Sequence, residues 1–111
     1  MATARRGVSE TLQSLATTGN GTAFTANPVA QNHTVVVTGV GTISGGTVSI
    51  EEADTESYTG TWSVLATITA SALTGGAQQI THIAGLLQAV RARVSSNITG
   101  GGTISASLKS Y

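Results

Sequence analysis

Apolar positions along this chain fall in short alternating runs broken by glycine. His33 to Gly39 reads HTVVVTG and is rich in β-branched residues. Thr47 to Glu51 places Val48 and Ile50 on one face. Trp62 to Thr69 places Trp62, Val64, Ala66 and Ile68 on one face and Leu65 and Thr67 on the other. Gln79 to Ile83 puts Ile80 and His82 together, and Thr103 to Lys109 aligns Ile104, Ala106 and Leu108. Each run has the period of two of a half-buried strand. Glu10 to Leu15 and a short stretch near Thr22 to Phe24 bring the expected total to seven or eight strands. Turn residues separate them at Gly19-Asn20-Gly21, Ala26-Asn27-Pro28, Gly45-Gly46, Thr59-Gly60, Gly75-Gly76 and Gly100-Gly101-Gly102, where glycine permits the positive φ of tight connections. Short strands at this spacing predict an all-β fold, an antiparallel β-sandwich of jelly-roll or Ig-like type. Residues 1–15 read as an N-terminal arm or first strand, and 16–111 as one sandwich domain.

One segment carries two periods. Ile80, Ile83, Leu87, Val90 and Val94 are spaced as on a helix, whereas Val90-Arg91-Ala92-Arg93-Val94 alternates and Gly85 interrupts a helix. The alternation favours a strand over Ala89 to Ser95, with room for one helical turn at Leu86 to Gln88. Thr38-Gly39-Val40-Gly41-Thr42-Ile43-Ser44 resembles Thr99-Gly100-Gly101-Gly102-Thr103-Ile104-Ser105, which reads as two similar turns on one sandwich.

Composition narrows the function classes. The chain has 111 residues, 40% hydrophobic but only 4% aromatic, so its core must be built from Val, Ile, Leu and Ala and is expected to be thin. Association is one way for a thin core to gain stability. Charged residues are 9% with five of each sign, which lacks the basic footprint of a nucleic-acid or anionic-membrane binder. No cysteine is present, which removes disulfides and thiolate metal sites. Neither a signal-peptide core after Arg5 and Arg6 nor an 18-residue apolar run is visible, so assembly in a host cytoplasm is the expectation.

Candidate chemistry is sparse. His33 and His82 are the only histidines; His33 reads as flanking a turn and His82 as inward or at an interface. No G-x-S-x-G elbow occurs, and a small hydrolase is the last option considered. Glu51-Glu52-Ala53-Asp54-Thr55-Glu56 holds four of the five acidic residues and reads as a solvated loop leaving a strand, with weak calcium binding as the alternative. Arg91 and Arg93 share a strand face, suited to bidentate pairing with carboxylates of a neighbouring subunit. Arg5 and Arg6 lie in a tail or in an arm that orders on a partner. Trp62 reads as core; an exposed Trp62 beside Tyr58 would instead favour a sugar-binding platform. Candidate interface residues are therefore Arg5, Arg6, Tyr58, Trp62, Arg91 and Arg93, with no catalytic, cofactor or metal residues expected.

The run Val35-Val36-Val37-Thr38-Gly39-Val40-Gly41-Thr42-Ile43-Ser44-Gly45-Gly46-Thr47-Val48-Ser49-Ile50-Glu51 resembles small β-rich domains of tailed-bacteriophage virion proteins. The resemblance continues through Gly60-Thr61-Trp62-Ser63-Val64-Leu65-Ala66-Thr67-Ile68, Gly85 to Val94 and Ile98 to Ala106, covering about two thirds of the chain. Leu86-Leu87 stands where those domains often carry an aromatic, and no Asp-Gly turn precedes Trp62. The resemblance implies a non-enzymatic capsid decoration or cement protein, often a homotrimer on the capsid exterior. Its partners would be the major capsid protein and its own copies, with no nucleic acid, membrane or cofactor. A head-fibre, tail or adaptor component is the alternative within the virion, and a carbohydrate-binding module the alternative outside it.

Overall fold

The computed structural model describes residues 9–26, 30–85 and 87–111. Its strands are β1 (Glu10–Ala16), β2 (Gly19–Asn20), β3 (Phe24–Thr25), β4 (Asn32–Val40), β5 (Gly45–Ala53), β6 (Ser63–Thr69), β7 (Gln78–Ala84), β8 (Ala89–Thr99) and β9 (Thr103–Ser110), with a 3-10 segment at Ala70–Gly76. One sheet has the order β1-β9-β4-β7. The other has the order β2-β8-β5-β6, with β3 also on β8. Every pairing is antiparallel. With β2 and β3 counted as one interrupted strand, the eight described strands are divided between the two sheets in the order of a jelly roll, with β5 and β6 adjacent in one of them. The Ig-like alternative is thereby set aside. Glu10–Ala16 is the first strand among the described residues; the arm expected over the rest of 1–15 falls largely outside them.

The alternation predicts the inner face. Val35 and Val37 of β4, Ile104, Ala106 and Leu108 of β9 and Leu12 of β1 meet Val48 and Ile50 of β5, Ile68 of β6 and Val90, Ala92 and Val94 of β8. No aromatic residue is among the fully buried members of this core; Phe24 packs at its margin. The segment Ala89 to Ser95 is strand, as its alternation indicates. Leu87 and Gln88 are irregular, and Leu86 of the expected helical turn lies outside the described residues.

Three features were not expected. Ala70–Gly76 forms a 3-10 segment whose Leu73 closes one end of the core. Gly45 and Gly46 begin β5 instead of turning: Gly46 has φ 113°, and a Cβ there would lie 2.9 Å from the Ile98 Cα. Register shifts between Ile50 and Glu51, where Ala66 pairs with Ile50 but Val64 with Glu51. Such a bulge moves the residues beyond it to the opposite face. Val64 is therefore 57% exposed on the outer face, not aligned with Ile68 as the simple alternation predicts.

Candidate functional site

The outer face of the β2-β8-β5-β6 sheet assembles residues far apart in the chain. Glu51 pairs with Arg91 across the β5–β8 ladder and Ser49 with Arg93, so all three charged side chains rise from one face. Glu51 is only 3% exposed. Its Oε1 accepts from Arg91 Nε at 2.9 Å and lies 2.9 Å from Arg91 Nη2, and its Oε2 accepts from Arg93 Nε at 3.2 Å. One carboxylate thus bridges two guanidinium groups, and the trio keeps a net charge of +1. The Arg91 side chain is 16% exposed and that of Arg93 42%, which places the uncompensated charge at the outer end of Arg93.

Trp62 completes the cluster. The bulge carries it to the same outer face, where Arg91 Cζ lies 4.2 Å from its ring centroid, a cation–π contact. Its Nε1–H donates to the Tyr58 carbonyl at 3.0 Å, closing the β5–β6 loop on itself. Trp62 is buried, at 5% exposure, as a core reading expects. It packs over a salt bridge and is not part of the main hydrophobic cluster between the sheets. Its covered ring also denies a sugar the open aromatic face that stacking needs. Tyr58 is half exposed. Between these groups lies a cleft of about 370 Å³ lined by Glu51, Gly60, Thr61, Trp62, Val64, Arg91 and Arg93.

The structure brings together four of the six candidate interface residues, Tyr58, Trp62, Arg91 and Arg93; Arg5 and Arg6 lie outside the described residues. Glu51, the residue that organises them, ends the expected strand and begins the acidic run that sequence reads as a solvated loop. The loop begins only after Ala53, where Asp54 and Thr55 are exposed, and Glu51 itself lies inside β5 and is buried. The other acidic residues diverge. Glu52 Oε2 accepts from the Gln88 amide at 2.7 Å, and Glu56 Oε2 accepts from the amide (3.0 Å) and hydroxyl of Thr25. Among the described residues no group of three His, Cys, Asp or Glu side chains is placed to hold a metal ion.

His33 is more buried than its turn-flanking reading expects, and His82 does not point inward. His82 is exposed on β7, with Nδ1 3.3 Å from Thr34 Oγ1, whereas His33 is 1% exposed in β4. His33 Nε2 lies 3.1 Å from the Gly85 carbonyl, which only accepts, so that nitrogen carries the hydrogen; Nδ1 then accepts from Ser110 Oγ at 2.8 Å. Ser110 is fully buried, and neither this cleft nor a smaller cavity over Thr11, Thr38 and Ser107 is lined by a histidine. This serine–histidine pair fastens the chain end of β9 to β4.

No protein-family model, curated protein or solved structure matches the chain.

Burial holds the His33 imidazole below the usual histidine value, against the opposing pull of the Gly85 carbonyl and the Glu52 charge. The unfolded chain therefore takes up a proton near pH 6.5 that the folded chain takes up only at lower pH. Stability from this site is complete above that value and falls as pH drops below it, by up to about 1.4 kcal/mol per pH unit. Urea midpoints measured from pH 7.5 to 5.0 should fall in the wild type and flatten in His33→Gln. Equal slopes in both would refute the assignment.

Proposed function

We propose that this chain is a non-enzymatic virion structural protein, a capsid decoration or cement protein of a tailed bacteriophage, and that it works by packing as a homotrimer on the capsid exterior. The observation that supports this reading most is the outer-face cluster of Tyr58, Trp62, Val64, Arg91 and Arg93 around Glu51. Tyrosine, tryptophan and arginine are the residue types enriched at the centres of protein interfaces. Here Arg91 and Trp62 are held in place before any partner arrives, by Glu51 and the Tyr58 carbonyl, so little of their side-chain freedom is lost on binding. The half-exposed Tyr58 and Val64 offer apolar area, and the outer end of Arg93 offers a donor fork for a partner's carboxylate.

Each copy has a thin core and no net charge. Packing many copies on a shell adds buried apolar area to each, and small contact energies sum over the lattice. The charged groups that line the site, Glu51, Arg91 and Arg93, are paired with one another, which favours adhesion over turnover. The test is cosedimentation with expanded, undecorated capsid shells of the phage whose genome carries the chain. Saturable binding at a fixed number of copies per capsomer is expected; no binding to shells of any maturation state would refute the reading.

A further inference from the structure

The four lateral edges of the sandwich are not alike. β1 carries Glu10 and two register shifts against β9. The opposite sheet begins with β2 and β3, which have two residues each. β6 is bulged against β5. Charge, bulges and very short strands are the usual means of keeping an edge from adding another chain. β7 has none of them. It reads Gln-Gln-Ile-Thr-His-Ile-Ala, with no Asp, Glu, Lys, Arg or Pro, and pairs with β4 over seven consecutive residues without a shift.

The hydrogen-bond parity of that ladder shows what the free side offers. Gly39 N–H donates to the Ala77 carbonyl and Gly85 N–H to the Gln31 carbonyl. Both bonds join residues in the β4–β7 register, so Gln79, Thr81 and Ile83 bond inward to β4. The N–H and C=O groups of Gln78, Ile80, His82 and Ala84 point away from β4, to an edge on which no strand of the described residues pairs. On the outer face of the same strand Ile80 is 49% exposed and His82 is exposed.

We propose that the β7 edge pairs with β7 of a second copy about a two-fold axis at Thr81. In this antiparallel register Ile80 exchanges backbone bonds with the partner's His82 and Gln78 with the partner's Ala84. All four outward-facing residues are satisfied on both chains. The contact is isologous, as a two-fold requires. Ile80 then packs beside the other copy's His82. No like charges oppose the approach, since β7 is uncharged and the chain has net charge 0. The inference goes beyond the proposed trimer: the trimer uses the outer-face cleft, and β7 pairing would join each of its three edges to a neighbouring unit across a shell.

The test is light scattering over a concentration series, combined with amide hydrogen exchange. The wild-type mass should rise reversibly above its dilute limit, stopping at twice that limit only if the dilute unit is a single chain. Exchange at Ile80 and His82 should slow by about tenfold or more over that rise. Ile80→Lys puts a charge on the edge, and His82→Pro removes an outward N–H without touching the β4 ladder. Both variants should keep the dilute-limit mass at every concentration, and the lysine variant stands alone if the proline variant does not fold. A wild-type mass that never rises, a rise unchanged in Ile80→Lys, or a rise without added protection at Ile80 and His82 would overturn the proposal. The dilute limit itself reports the trimer separately, so failure of one leaves the other standing.

Discussion

Replacing Glu51 by glutamine should cost about 2–3 kcal/mol and lower the melting temperature by on the order of 10 °C. The carboxylate is nearly inaccessible, accepts one N–H from each arginine and lies 2.9 Å from Arg91 Nη2. An amide in its place turns an NH2 group toward one arginine and leaves two positive charges facing each other under Trp62. Removing one partner of a fully buried pair costs about 3–5 kcal/mol. The lower figure here reflects Arg93, whose side chain is 42% exposed and can turn to water. Arg93→Gln should accordingly cost under about 1 kcal/mol. Trp62 is the only tryptophan, so its fluorescence reads the cluster directly. Glu51→Gln should perturb that emission in the folded state as well as shift the urea midpoint. A variant as stable as wild type with unchanged emission would mean that Glu51 does not organise the site.

Gly39→Ala should be as damaging for a different reason, at about 3 kcal/mol. A Cβ at Gly39 would lie 2.1 Å from the carbonyl oxygen of Leu73 and 2.8 Å from its Cβ. The obstacle is backbone, so no side-chain rotation relieves it. The 3-10 segment must move off β4, which withdraws Leu73 from the core and strains the bond from Gly39 N–H to the Ala77 carbonyl, 3.1 Å in length. Thermal denaturation should show a drop on the order of 10–15 °C, and near-ultraviolet circular dichroism should change little because Trp62 sits on the other sheet's outer face. A loss below about 1 kcal/mol would show that the 3-10 segment is free to shift.

Period-two reading found the sandwich because β4 and β9 alternate without interruption: Val35 and Val37 face inward, as do Ile104, Ala106 and Leu108. It failed where one residue changes a face. The bulge in β6 turns Trp62 and Val64 outward, and nothing in Trp-Ser-Val-Leu-Ala-Thr-Ile distinguishes a bulged strand from a regular one. On β7 the grouping of Ile80 with His82 was right, but Ile83 gives the other face an equal claim to the core, and the structure buries that side more. The 3-10 segment has no period to detect over so short a length.

The site was half legible. Two arginines at i and i+2 announce a shared face, and the nearby Tyr58 and Trp62 announce an interface type of composition. Their buried partner Glu51 was hidden in an acidic run that looks solvated until β5 is extended past it. Only the β5–β8 register, set by packing across 40 residues, selects Glu51 from its neighbours.

The most direct measurement of the account is the dilute-limit mass by light scattering, for wild type and for Val64→Lys, which places a charge at the cleft without touching the core. Self-assembly through the outer face predicts three times the 11.1 kDa chain mass for wild type and the single-chain mass for a folded Val64→Lys. A wild-type monomer at every concentration, or a trimer indifferent to the lysine, would contradict it.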